Sequence, residues 1–370
     1  MIRALRARNF SKRPTENTPP VKPTPKIVRR TRTRKAKKNI TAAKSDAEQA
    51  KKKAQKTAQP VRLNVVFYGN ANGGADVEMQ ELPSTSQHPA IVPVTLPRAL
   101  NQPPVSEPSE EAIAASTGPS YCGQPAAFVR DNLESSGPRS LRTLCSVVTQ
   151  VDSTVLPKEL DIVVNDPAAT DYPTHMLAVY APVPKKPENA PASWVPPKTD
   201  VKMYPVHSLF MAAHCAKLGP FPPSPTAFES FPASNEPRSI TLPVRPLCLP
   251  SPSTFPYLLH YFYLRREEVL FRAFFPCEFS TQFVENCTSE EEIRSLATHI
   301  GRTFNPSVIL KHAKVIHGVW QNACALGAFD DALWMAIDSA YEVIINALAI
   351  GTGNPRAVYV AKSPSPPMQA

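Results

Sequence analysis

The spacing of apolar side chains changes sharply along this chain. From residue 257 to 351, where only Pro276 and Pro306 occur, hydrophobic positions recur every three or four residues, the period of a helix with one buried face. In YLLHYFYLRREEVLFRAFF (257–275), Leu259, Phe262, Tyr263, Leu270, Ala273 and Phe274 share a face, while Arg265, Arg266, Glu267 and Glu268 read as a solvated one. The spacing predicts one helix, ended by Pro276. Thr288 and Glu291 form a capping box before Ile293, Leu296, Ala297, Ile300 and Phe304, predicting a second helix. Asn305 and Pro306 open a third, PSVILKHAKVIHGVWQNACAL, which Gly327 stops. Asp330 and Asp331 then stand at the positive end of a fourth, which closes before Gly351. The short link around Gly327 makes the last two an antiparallel hairpin.

Upstream the text is different. RLNVVFYGNANGGADVEMQEL reads as a strand, an Asn/Gly turn and a more polar strand. GNANGG is not a phosphate loop, because no Lys follows Gly74 to reach a phosphate. Between 83 and 256 stand 31 of the 43 prolines, interrupted by apolar runs such as LRTLCSVVTQV, LDIVV and HMLAVY. Proline removes a ladder donor and disfavours helix before it, so these runs predict short strands or helix fragments joined by extended loops. Residues 1–60 hold almost no large apolar side chains and cannot offset their own ordering entropy.

The expected architecture is therefore mainly α. A small C-terminal helical bundle with an antiparallel helix hairpin (257–351) follows a Pro-rich, partly ordered region with short strands (61–256). A disordered basic N-terminal arm (1–60) and a disordered tail (352–370) flank them.

Charge adds a compartment to this picture. Residues 1–62 carry 20 Lys or Arg against 3 Asp or Glu, and the formal total of +10 leaves the remainder acidic. Arg29, Arg30, Arg32, Arg34, Lys35, Lys37 and Lys38 form one cluster. Lys37 and Lys38, twelve residues before Lys51, Lys52 and Lys53, have the spacing of a bipartite nuclear import signal. The expected localisation is the nucleus and the expected partner an import receptor. MIRALRARNFS, rich in Arg and free of acid, leaves a mitochondrial presequence open as the alternative, with an RNA-associated helical protein behind it. The same charges leave open weak, sequence-independent nucleic-acid binding through the arm.

Chemistry is harder to find. The seven cysteines are scattered, with no C-x-x-C, as in a reducing compartment. His312 and His317 stand about 140° apart around a helix and cannot share a metal. His207, His214 and Cys215 lack an evident fourth ligand, and Asp161, Asp166 and Asp171 read as loop and turn carboxylates. No G-x-S-x-G, H-E-x-x-H or kinase signature occurs, so the expectation is a non-enzyme without catalytic, cofactor-binding or metal residues. No run of about 18 apolar residues predicts a membrane span. Gly327, Phe329 and Ala332 have the offsets of a tetratricopeptide-type or pentatricopeptide-type repeat, but no second copy exists. Ser224, Ser251, Ser363 and Ser365, each before proline, are candidate phosphorylation sites.

Two segments, LLHYFYLRREEVLFRAFFP (258–276) and ILKHAKVIHGVWQNACALGAFDDALWMAIDSAYEVIINAL (309–348), resemble the clampless protein family of basidiomycete fungi. The likeness runs from about residue 60 to 351. It implies a nuclear regulator of sexual development, required for clamp-cell formation and for maintaining the dikaryon after mating. It further implies action downstream of the mating-type homeodomain factors through a partner such as a transcription factor or cell-cycle protein, without catalysis. The family supplies no active-site residues to carry over.

Overall fold

Seven strands and ten α-helices succeed one another among the described residues. They are β1 (Val61–Phe67), β2 (Ala90–Leu96), α1 (Glu110–Thr117), α2 (Ala126–Glu134), α3 (Gly137–Cys145), β3 (Val147–Thr149), β4 (Glu159–Val164), β5 (His175–Tyr180) and β6 (Val201–Val206). After them come α4 (Ser208–His214), β7 (Arg238–Cys248), α5 (Phe255–Leu264), α6 (Glu267–Phe274), α7 (Thr281–Glu285), α8 (Glu290–Thr303), α9 (Pro306–Leu326) and α10 (Asp331–Gly351). The structure, a computed structural model, describes residues 60–67, 90–117, 121, 123–149, 156–166, 168–184, 186, 199–226 and 237–355. The chain divides into two units, Met1–Ala54 and Gln55–Ala370, and every described residue belongs to the second.

The expected mainly α class is corrected. The Pro-rich region builds a five-stranded mixed sheet in the order β3-β4-β7-β5-β6, with β5 and β7 parallel and the other pairs antiparallel. A separate two-stranded sheet pairs β1 with β2 over all seven residues, Val61 opposite Leu96. The first expected hairpin strand is thus present as β1, and its ladder partner is 90–96. The expected second strand, 75–82, lies outside the described residues.

Proline misled the reading because of where it falls on β7. Residues 238–243 of β7 pair with β4, and residues 244–248 pair with β5. The Val244 N–H donates to the Lys158 carbonyl on the β4 side, and the Leu249 N–H to the Tyr180 carbonyl on the β5 side. Successive residues of a strand turn their polar groups to opposite sides, so Pro246 faces the β4 side beyond the end of β4. Pro243 faces the β5 side before that pairing begins. Each missing N–H lies where no partner strand runs, and a strand carrying two prolines sits mid-sheet without losing a bond.

One hydrophobic cluster joins both halves of the chain. It runs from Val61, Leu63 and Val65 of β1 through Val129, Leu177, Phe210 and Met211 to Ile337, Ile344 and Leu348 of α10. A smaller cluster, with Ile162, Tyr172, Met176 and Leu242, lies on the sheet. Helix α10 is long and apolar enough to cross a membrane, yet 78% of its apolar window is buried inside the protein. A helix apolar on nearly every side serves here as the centre of the core. Helix α8 approaches it closely at Gly301, where a Cβ would stand 2.6 Å from the Ala347 carbonyl oxygen.

Of the C-terminal helices, α8, α9 and α10 follow the sequence reading closely, whereas the short α7 is not announced by it. Asn305 caps α9 by accepting from the Ser307 N–H, Gly327 ends α9 with φ 65°, and Asp330 caps α10 through the N–H groups of Ala332 and Leu333. Helix α8 begins after Ser289, one residue beyond the expected capping Thr288. The helix expected over 257–275 is two, α5 and α6, broken where Arg265 adopts a left-handed φ of 48°. Neither Gly nor Pro marks that break, and its cause is tertiary.

Candidate functional site

Helix α4, SLFMAAH, is buried at six of its seven positions and has a histidine at each end. Each histidine enters a polar knot that draws several elements together. Seven residues of helix rise about 10 Å, so His207 and His214 lie too far apart to share a ligand. Among the described residues no group of three or more His, Cys, Asp or Glu could hold a metal ion.

The first knot gathers at His207, the residue before α4. The Tyr263 hydroxyl accepts from the His207 backbone N–H at 2.9 Å and stands 2.9 Å from Nδ1. A phenol has one proton, and donating it to Nδ1 leaves Nε2 protonated, facing the Asp171 carbonyl at 3.4 Å and carboxylate at 3.6 Å. The Ser140 hydroxyl of α3 donates to Oδ2 of the same Asp171. Burial lowers the His207 pKa against the pull of Asp171, so the ring is held neutral. Helix α3 reaches this place because Gly137 lies against the Tyr263 backbone, where any Cβ would collide.

Burial likewise dominates at His175 on β5, whose pKa falls to about 4. Its Nε2–H donates to the Pro222 carbonyl at 2.8 Å, and the Thr174 hydroxyl stands 2.9 Å from Nδ1. Ser224 donates to the Thr174 carbonyl at 2.5 Å and Thr226 to the Pro173 carbonyl at 2.9 Å, stitching the Pro-rich segment to the start of β5.

The second knot gathers at His214. Arg130 of α2 donates from Nη1 to the Ala213 carbonyl at 3.2 Å, and its guanidinium lies 5.3 Å from the Phe329 ring centre. The Phe329 N–H donates to the His214 carbonyl at 3.0 Å, which sets Asp330 beside the same helix end. Arg265, between α5 and α6, donates to Asp131 at 2.7 Å and Glu134 at 3.3 Å, and its Nε stands 3.7 Å from Asp330 Oδ2. Burial works against the Arg265 charge, but the bond to Asp131 and the nearby carboxylates outweigh it and raise its pKa. The left-handed turn at Arg265 aims its side chain at these three acids, which corrects the expected solvated face.

Loop carbonyls supply further ties. The Trp320 Nε1–H donates to the Asn101 carbonyl at 3.1 Å and the Tyr341 hydroxyl to the Pro97 carbonyl at 2.7 Å, strapping the extended segment 97–105 across α9 and α10 with Leu100 buried beneath. Asn322 of α9 holds the turn after β7 at Ser251.

The sequence candidates are distributed as follows. Arg29, Arg30, Arg32, Arg34, Lys35, Lys37, Lys38, Lys51, Lys52 and Lys53 lie outside the described residues, as do Ser363 and Ser365. His317 lies tilted against Trp320 with ring centres 5.3 Å apart, and His312 faces backbone of Ala273 and Phe274. Asp161 accepts from Thr241 and Asp166 from Arg142, on different elements from Asp171. Arg130 and Asn322 were not singled out in the sequence, and Tyr263 was placed only on an apolar helix face, because each works through a partner 56 to 83 residues away.

Two family models match this chain. The Clampless protein 1 N-terminal domain matches residues 103–250, and the Clampless protein 1 C-terminal domain matches residues 268–370, together about two thirds of the length. The chain belongs to the clampless protein family. Membership ties it to clamp formation in sexual development. No curated protein and no solved structure matches. The knot around His214 joins the N-terminal clampless domain to the C-terminal one through the Phe329 N–H and the His214 carbonyl, while the knot around His207 ties the N-terminal domain to Tyr263 in the segment between the two, so the domains of this clampless protein are held by polar contacts as well as by a shared core.

Proposed function

We propose that this clampless-family protein is a nuclear, non-enzymatic regulator that supports clamp-cell formation and maintenance of the dikaryon by binding protein partners. The observation that carries the reading is the partition of charge: a net of +17 over residues 1–62 against an acidic remainder. An import receptor recognises basic clusters in an extended peptide, and the two clusters at 29–38 and 51–53 have the required spacing. A body of opposite net charge disfavours nucleic acid as the target of the whole protein and favours a transcription factor or cell-cycle protein. The rings of His175 and His207, lowered in pKa by burial and with both nitrogens engaged, support a scaffold over an acid–base catalyst.

The test is a fluorescent fusion of the full chain in mating-competent cells. Replacing the ten Lys and Arg residues of both clusters by Ala should leave it in the cytoplasm and abolish clamp formation. An unrelated import signal should restore both. Undiminished nuclear accumulation of the Ala variant would overturn the import assignment, and mitochondrial accumulation of the parent would replace it. Nuclear localisation restored without clamp formation would show that the arm has a further task.

A further inference from the structure

Three side-chain atoms in the knot around His214 are buried and have no hydrogen-bond partner among the described residues: Arg130 Nε, His214 Nε2 and Asp330 Oδ2. Their residues are 7%, 0% and 8% exposed. An unpaired buried polar atom costs about 1–3 kcal/mol, and the three residues stand close enough together that the charges of Arg130 and Asp330 act on His214 and on each other. Their chemistry is fixed by their neighbours. The Phe210 carbonyl can only accept, so its 2.9 Å contact puts the proton on His214 Nδ1 and leaves Nε2 as a lone pair. Asp330 Oδ1 is used by the N–H groups of Ala332 and Leu333 and by the Tyr261 hydroxyl, while Oδ2 has only the Arg265 Nε at 3.7 Å, beyond hydrogen-bonding range. Arg130 Nε–H is a donor. The three atoms therefore present two acceptors and one donor.

We infer that a single ordered water molecule binds between Arg130, His214 and Asp330, donating to His214 Nε2 and Asp330 Oδ2 and accepting from Arg130 Nε–H. The pattern selects this ligand. An alcohol has one hydroxyl proton and would leave one acceptor unmet. An anion would meet two acceptors, and a metal cation would meet the guanidiniums of Arg130 and Arg265. A water with three protein partners is what buried sites of this kind ordinarily hold. Arg130 and His214 belong to the N-terminal clampless domain and Asp330 to the C-terminal one, so the water is a hydrogen-bonded link between the two. It also completes the position of Asp330, the cap of α10.

The full chain tests this in two ways. Magnetic relaxation dispersion of water ¹⁷O counts long-lived internal waters, and His214→Phe, which keeps a flat ring without the acceptor, should show one fewer than the parent. An unchanged count in folded His214→Phe would overturn the site. A crystal structure of the parent at a resolution that orders waters decides independently of whether the variant folds. Density within hydrogen-bonding range of all three atoms, with no anomalous signal, is the expected result. Direct pairing of the three side chains with one another, or an anomalous peak from an ion, would overturn it.

Discussion

The side-chain amide of Asn322 grips both backbone polar groups of Ser251, accepting from its N–H at 3.0 Å and donating to its carbonyl at 2.7 Å. Asn322 is fully buried, and Nδ2 also reaches the Thr254 hydroxyl at 3.1 Å. Gly318, one turn earlier on α9, leaves room for the turn, because a Cβ there would stand 2.5 Å from Ser251 Oγ. One side chain thus pins the exit of the sheet to the long helix.

Asn322→Ala should destabilise the protein by roughly 1–3 kcal/mol, since it strands the Ser251 N–H, while the Ser251 carbonyl keeps the N–H and hydroxyl of Thr254. Urea unfolding followed by circular dichroism reads this directly. Asn322→Asp should do worse than Asn322→Ala at neutral pH, because a carboxylate can accept from the Ser251 N–H but cannot donate to its carbonyl.

The strap over the hairpin depends on two aromatic donors. Tyr341→Phe and Trp320→Phe each remove one bond to the segment 97–105 and should cost about 1 kcal/mol apiece. Limited proteolysis should show the double variant cut faster between Pro97 and Val105 while the helices stay protected. Equal cleavage rates would mean that Leu100 alone holds the strap.

Acid should weaken the fold through its buried histidines. His175 and His214 have folded pKa values of about 4, both lowered chiefly by burial, against 6.5 unfolded. A depressed histidine pKa means that the unfolded chain binds more protons between pH 6.5 and 4. Stability is complete above pH 6.5 and falls through that window, by on the order of 3 kcal/mol per residue. The urea midpoint should drop steadily from pH 7 to 4, and His175→Gln should reduce that slope.

Asp338 acts in the opposite sense. Partial burial and the neighbouring Glu342 raise its pKa to about 6, above the ordinary 3.8, so its contribution is present at low pH and lost as pH rises through 6. The residue is exposed, and solvent screening keeps the effect small. Asp338→Asn should raise the thermal midpoint slightly at pH 7.5 and leave it unchanged at pH 4.

The two Ser-Pro sites that lie in the fold should resist proline-directed kinases. Ser224 is 7% exposed and donates to the Thr174 carbonyl, and Ser251 Oγ packs against Gly318 beneath α9. Mass spectrometry after kinase treatment should find these two positions modified only once the chain is denatured.

How far the sequence could be read differs between the two halves for a physical reason. Helix capping and apolar periodicity are local, so Asn305, Pro306, Gly327 and Asp330 announced α9, α10 and their hairpin, and the pattern also carried the family likeness. Strand pairing is not local. Nothing near Pro243 and Pro246 tells that β7 changes partner between them, and so a five-stranded sheet read as scattered fragments.

By itself the sequence determined the ends of α9 and α10 and the hairpin between them, which segment carries the excess positive charge, and the family to which the chain belongs. Only the tertiary structure decided that the Pro-rich region forms a sheet sharing a core with those helices. It also decided that Arg265 breaks a helix to meet Asp131, Glu134 and Asp330, and that His207 and His214 are neutral ties. Those outcomes depend on burial and on charges brought together from distant positions, and neither quantity is defined until the chain has folded.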